Sequence, residues 1–221
     1  MMLPQDPDRE LVGRTIAAML MAQQIKHTGQ VHGETLLTEL GALAGFAVQI
    51  SIRRSVIERQ KLNPETILVE VATKNDEIYY FSDLLNWMLF ENTEQPPFCV
   101  WSYVMAAVPG ERQLLLPDIS EIVSNTARSI GTSRYGVPRL PREHMPQKLP
   151  RVALEEHWRF IRAELESSQR DPSEWPYDVA AAAQWQMLTG REAIDPPLAA
   201  RIVMESAIPM SKVDPRTIIG A

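Results

Sequence analysis

The stretch GALAGFAVQISI, residues 41–52, constrains this chain more than any other. It lies in a run of 13 uncharged residues between Glu39 and Arg53. A membrane-spanning helix needs about 20 apolar residues, and a shorter run is more often a buried core helix. A dinucleotide-binding turn is excluded, because Gly41 and Gly45 do not follow the G-x-G-x-x-G spacing and no strand precedes them. What remains is a helix apolar almost all round, which must be covered on several sides. Each glycine costs roughly 1 kcal/mol against alanine inside a helix. On a helix the two share a face with Ala44 and Val48, where small residues admit another backbone. The first reading is an intramolecular crossing with a second helix or the sheet; the second is a subunit interface.

The elements around this spine follow from caps and breakers. Asp6-Pro7 or Asp8 opens a helix from about residue 9 to 27, and the spine helix is predicted over about 34–59. ILVEVAT and EIYYFS flank KND as a hairpin spanning about 67–81. The run FCVWSYVMAAV, 98–108, fits a buried strand or a helix equally well. Asp118 with Glu121 starts a helix that Gly131 ends. Residues 132–150 carry four prolines. Beyond them Leu154, Trp158, Ile161 and Leu165 form one helical stripe with its far side wet. Gly190 closes a further helix, Asp195-Pro196 opens another to about 206, and the tail from 208 is expected to be extended.

The fold class expected is therefore α+β and mostly helical. A small antiparallel hairpin packs on the long buried helix, and a helical C-terminal part follows. The division is an α+β body (1–131), a Pro-rich basic connecting loop (132–150) and a helical C-terminal subdomain (151–221).

With 45% hydrophobic and 23% charged residues the composition is that of a folded globular protein. The net charge of −6 argues against nucleic acid as a partner. Cys99 is the sole cysteine, so no internal disulfide forms. The opening MMLPQDPDRELVGR has neither the basic nor the apolar region of a secretory leader. Cytoplasmic location, with no membrane partner, is the expectation.

No local motif announces chemistry. His27, His32 and Glu34 have ligand-type side chains, but a spacing of five is not that of a helical zinc pair, so no metal and no cofactor is expected. His157 has glutamate neighbours and is read as lying on a solvated helix face. Cys99 reads as a small hydrophobe. The tryptophans read as core, except Trp175 in SEWPYD, which reads as an exposed contact residue.

One compositional feature stands out. Residues 128–151 hold Arg128, Arg134, Arg139, Arg142, Lys148 and Arg151 against a single acid, Glu143. Guanidinium forks beside hydroxyls and glycine turns suit a phosphate or carboxylate. They also suit an acidic protein surface, including a second copy of this chain. Arg128, Arg134, Arg139, Arg142 and Arg151 are thus the candidate anion- or partner-binding residues. The function expected first is a non-catalytic interaction protein that self-associates as a homodimer. The alternative is an enzyme or small-molecule binder whose anionic ligand sits where this segment meets the body.

Overall fold

The computed structural model describes residues 6–95 and 99–218. Residues 1–5, 96–98 and 219–221 lie outside them, and with them Phe98 of the 98–108 run. The elements are α1 (Pro7–Thr28), α2 (Gly33–Ser51), α3 (Pro64–Ile67), β1 (Val69–Ala72), β2 (Ile78–Phe81), α4 (Asp83–Asn86), α5 (Val100–Ala106), α6 (Ile119–Ser129), α7 (Pro150–Ser167), α8 (Trp175–Thr189) and α9 (Pro196–Met210). The fold is mostly helical α+β, as the sequence predicts. Within the 98–108 run, Val100–Ala106 resolves as helix α5.

Helix α2 runs on through a π-helical segment, Ile52–Glu58, and every residue from Thr35 to Ile52 is buried. The combined 26-residue helix is long and apolar enough to cross a membrane, so the count of uncharged residues does not decide its role. Burial does: its most apolar window is wholly covered by the protein itself. The covering helices are α7, α8 and α9, each opened by a proline in its first turn, where a missing N–H costs nothing.

The glycines of α2 face α9. A Cβ on Gly41 would stand 2.4 Å from the Val203 carbonyl oxygen, and one on Gly45 only 2.0 Å from that of Ala207. Val203 and Ala207 are one turn apart, as are the glycines, so two backbones press together over a full turn. The crossing is intramolecular, and it is what the two glycines are for.

Helix α1 lies along α8, joined to it by a partly buried ionic knot. Arg9 pairs with Glu174 and with Asp178, the latter at 3.4 Å, and donates to the Tyr103 hydroxyl at 2.8 Å. Arg170 reaches Asp178 at 2.8 Å. Burial nevertheless pushes the Asp178 carboxyl above its ordinary range, with the two arginines opposing that shift.

The hairpin pairs Val69 with Phe81 and Ala72 with Ile78. Its turn is closed by the Thr73 hydroxyl, which accepts from the amides of Asn75 and Glu77, and Asp76 takes φ 59°. The hairpin meets the long helix where the Arg53 guanidinium lies over the Tyr80 ring, 4.4 Å from its centre. On the other side of β2, the Lys212 carbonyl accepts the Tyr80 amide at 2.8 Å and Val213 bridges Tyr79. The tail is thus not simply extended. It is the end of α9, a bridge to the sheet, and a 3₁₀ turn at Pro215–Thr217.

Two tryptophan assignments need correcting. Trp175 is 1% exposed, opens α8 and donates its indole N–H to the Arg170 carbonyl; the SEWPYD loop is in fact a helix start. Trp87, expected in the core, is 40% exposed.

Two predictions follow from packing and burial. Gly45→Ala gains about 1 kcal/mol of helix propensity, but its methyl must displace the α9 backbone. A net loss on the order of 2 kcal/mol is expected from overpacking. A lower urea midpoint with unchanged slope checks this, and a stabilised variant removes the close contact. The second concerns Lys212, 3% exposed, whose ammonium meets the Asn86 side-chain oxygen at 3.2 Å and the Phe81 ring, with the Glu91 charge opposing the effect of burial. Burial pushes its pKa from 10.5 down to about 8. The unfolded chain binds the extra proton between these values, so stability rises with pH from about 8 to 10.5. Melting curves across that window should climb for the wild type, and the Lys212 contribution should vanish in Lys212→Met.

Candidate functional site

The 132–150 segment is a strap fastened at several points. Gly131 and Gly136, both at φ 69°, turn it back on the body. The Tyr135 hydroxyl donates to the Pro209 carbonyl at 2.6 Å, and its ring packs 4.4 Å from that of Tyr79. Further on, His144 bonds Glu34 at 2.9 Å and the Gln147 amide donates to the Thr35 hydroxyl at 2.9 Å.

The strap does not gather the five candidate arginines. Arg139 is tied to Glu121 and to buried Glu205, at 2.9 and 3.1 Å. Arg151 holds Glu155 and the Thr217 hydroxyl. Arg128, Arg134 and Arg142 are exposed and spread apart in the chain. Where the strap meets the hairpin there is a cleft of about 480 Å³, and Arg151 is the one candidate arginine in its wall, beside Asp76, Glu77 and Asp214. Three carboxylates against one already bonded guanidinium do not make an anion site. Burial and the adjacent Glu77 push the Tyr79 hydroxyl in this wall up to about 12, so it stays protonated.

The polar centre lies elsewhere, at the other end of the strap. Glu39 is on α2 with 0% exposure, which requires its charge to be met inside the protein. One carboxylate oxygen accepts from the Gln24 amide of α1 at 2.9 Å, and the other lies 3.2 Å from Nε2 of His157 on α7. The Gln24 carbonyl oxygen in turn accepts the His32 backbone amide at 2.9 Å, at the cap of α2. Three helices therefore converge on one buried acid.

His157 corrects the solvated-face reading: it is 5% exposed. With a carboxylate at Nε2 that nitrogen carries a proton, so the lone pair of a neutral ring is on Nδ1. Nδ1 is covered and has no hydrogen-bond partner among the described residues. His157 also forms part of the wall of an open cleft of about 560 Å³, with Gln23, His27, Lys148, Glu156 and Phe160. Lys148, the last basic residue of the strap before Arg151, bonds Glu156 across it. His157 thus stands in the wall of a cleft carrying both charge signs, its ring oriented by Glu39 and its Nδ1 screened from solvent.

Among the described residues no group of three or more His, Cys, Asp or Glu side chains is placed to hold a metal ion. His27 lines the cleft, whereas His32 and His144 flank Glu34. Cys99 is buried against Ser102, and burial pushes its thiol up.

Sequence reasoning missed both members of the pair, although a signal existed. Glu39 follows Leu36 by three and precedes Leu43 by four, so it lies on the apolar surface of its own helix. His157 stands three after Leu154 and four before Ile161, at the edge of the α7 stripe. Periodicity thus marked each as buried, and neither could be left unpaired.

Breaking this pair should be expensive. Glu39→Leu or His157→Met by itself leaves a buried polar partner alone and should cost about 3–5 kcal/mol. The double variant Glu39→Leu with His157→Met should recover most of that loss. Denaturant unfolding of the four proteins as a double-mutant cycle measures the coupling, and additive effects would show that the two side chains do not interact.

No family model, no curated protein and no solved structure matches this chain.

Proposed function

We propose that this protein binds a small molecule bearing a carboxylate or phosphate in the α1–α7 cleft, and that His157 takes a proton there. The observation that carries the reading is the Glu39–His157 pair in the cleft wall. Glu39 holds Nε2, and Nδ1, which has no partner among the described residues, takes a proton once the ring turns toward the cleft. In this reading Glu39 fixes the tautomer and stabilises the imidazolium once the proton arrives. Lys148 supplies the cationic side of the cleft, and Glu156 its counter-charge. The ligand class is the one the basic segment suggests; its place moves from the arginines to Lys148.

A second reading, self-association through a non-catalytic surface, has its own support. Leu114 and Leu115 stand side by side on one 3₁₀ turn at 96% and 62% exposure. Adjacent apolar side chains so exposed mark contact surfaces, and exposed Arg128, Arg134 and Arg142 would face the acidic surface of a second copy. Either activity belongs, in this proposal, to the cytoplasm.

A thermal-shift screen with phosphates, nucleotides and carboxylates tests the first reading. A ligand at a hundred times its Kd should add roughly 2.7 kcal/mol. Lys148→Ala should remove the part of that gain that comes from the cleft while changing the unliganded protein by less than about 1 kcal/mol, since its ion pair is exposed. If no probe stabilises the wild type, or if Lys148→Ala responds in full, the cleft is not a binding site. Sedimentation in the same buffers reports the second reading directly.

A further inference from the structure

The π-helical continuation of α2 carries a guanidinium with no counter-charge. Arg53 is partly buried, its guanidinium set against the Tyr80 ring at 4.4 Å. Its Nε and Nη2 atoms are both screened from solvent, and neither has a hydrogen-bond partner. These two N–H groups lie along one edge of the guanidinium and point the same way, in the spacing that a carboxylate or phosphate accepts as a pair. Arg53 makes no ion pair among the described residues. Its neighbour differs: Arg54 is held by Glu166 at 3.0 Å and lies over the Trp175 ring.

A cavity of about 380 Å³ adjoins Arg53, walled by Ile50, Arg54, Glu58 and Pro215. That is the size of a small-molecule site. Ile50 and Pro215 give it apolar sides, and Glu58 is exposed at the end of the π-helical segment. A partly buried guanidinium without an ion pair among the described residues gains from a bound anion, and π-helical insertions recur at functional sites. We infer that Arg53 is the anchor of an oxyanion-binding site. It takes the carboxylate or phosphate of a small, partly apolar molecule on its Nε–Nη2 edge, with Arg54 as the second positive charge. This site is separate from the His157 cleft and does not depend on the reading given to it.

The test uses inorganic phosphate and benzoate against chloride at matched ionic strength. In the wild type each should raise the melting temperature saturably, by roughly 5–10 °C at a hundredfold excess over Kd. Read in a Lys148→Ala background, so that the α1–α7 cleft does not contribute, Arg53→Met should lose the response. Arg53→Lys, which keeps the charge without the paired N–H groups, should weaken it at least tenfold, and Glu58→Gln should strengthen it. Should Arg53→Met fail to fold, the wild-type Arg53 Nε–H resonance can be followed by proton–nitrogen correlation spectra, and it should move and saturate with phosphate. A response retained by Arg53→Met in the Lys148→Ala background, or an Nε–H resonance that stays still, overturns the inference. A response lost in Lys148→Ala but kept in Arg53→Met overturns it too, and assigns the anion to the α1–α7 cleft instead.

Discussion

The contact between the backbones of α2 and α9 is the constraint on which this structure rests. Helices normally keep their axes 8–10 Å apart because side chains fill the space between them. At Gly41 and Gly45 that space is given up, and the α9 carbonyls of Val203 and Ala207 occupy the place of the missing Cβ atoms. The two helices act as one buried unit, with α9 covered along nearly all its length. The penalty of glycine in a helix is offset by the apolar area that such an approach removes from water.

The position of every other element follows from that unit. With α9 against one face of α2, the remaining faces are left for α7 and α8, and α1 lies outside α8, fastened by Arg9, Arg170 and Asp178. The strap reaches from the end of α6 to the start of α2, held at Tyr135 by α9 and at His144 and Gln147 by α2. Glu39 falls where α1, α2 and α7 converge, so its partners come from two different helices. A carboxylate placed there is costly, and apolar replacements of such groups are often neutral or stabilising. Its presence with an oriented imidazole beside an open cleft is the reason the functional reading centres on it.

The polar groups divide according to how far along the chain their partners lie. The caps of α1 and α6 were legible, because Asp6 and Asp118 bond amides two or three residues away. The pairing of Glu39 with His157 spans 118 residues, and that of Arg139 with Glu205 spans 66. The strap was read as a basic surface because its arginines are dense in the sequence. The fold separates them, neutralising Arg139 and Arg151 and leaving Arg134 and Arg142 in water. Arg53 carried no signal at all, since what distinguishes it from Arg54 is the absence of a carboxylate at its edge.

The sequence by itself determined the mostly helical α+β class, the buried spine at 41–52, the hairpin, the helix caps, and the demand for a close neighbour at the two glycines. These rest on periodicity, capping and steric rules that act within a few residues. Only the tertiary structure decided that the neighbour is α9, that the tail returns to β2, and that Glu39 meets His157. It also decided that Trp175 is enclosed while Leu114 stands in solvent. The physical reason is that burial and charge pairing depend on which surfaces come together. That choice is made by the summed packing of helices far apart in the chain, and no single segment encodes it.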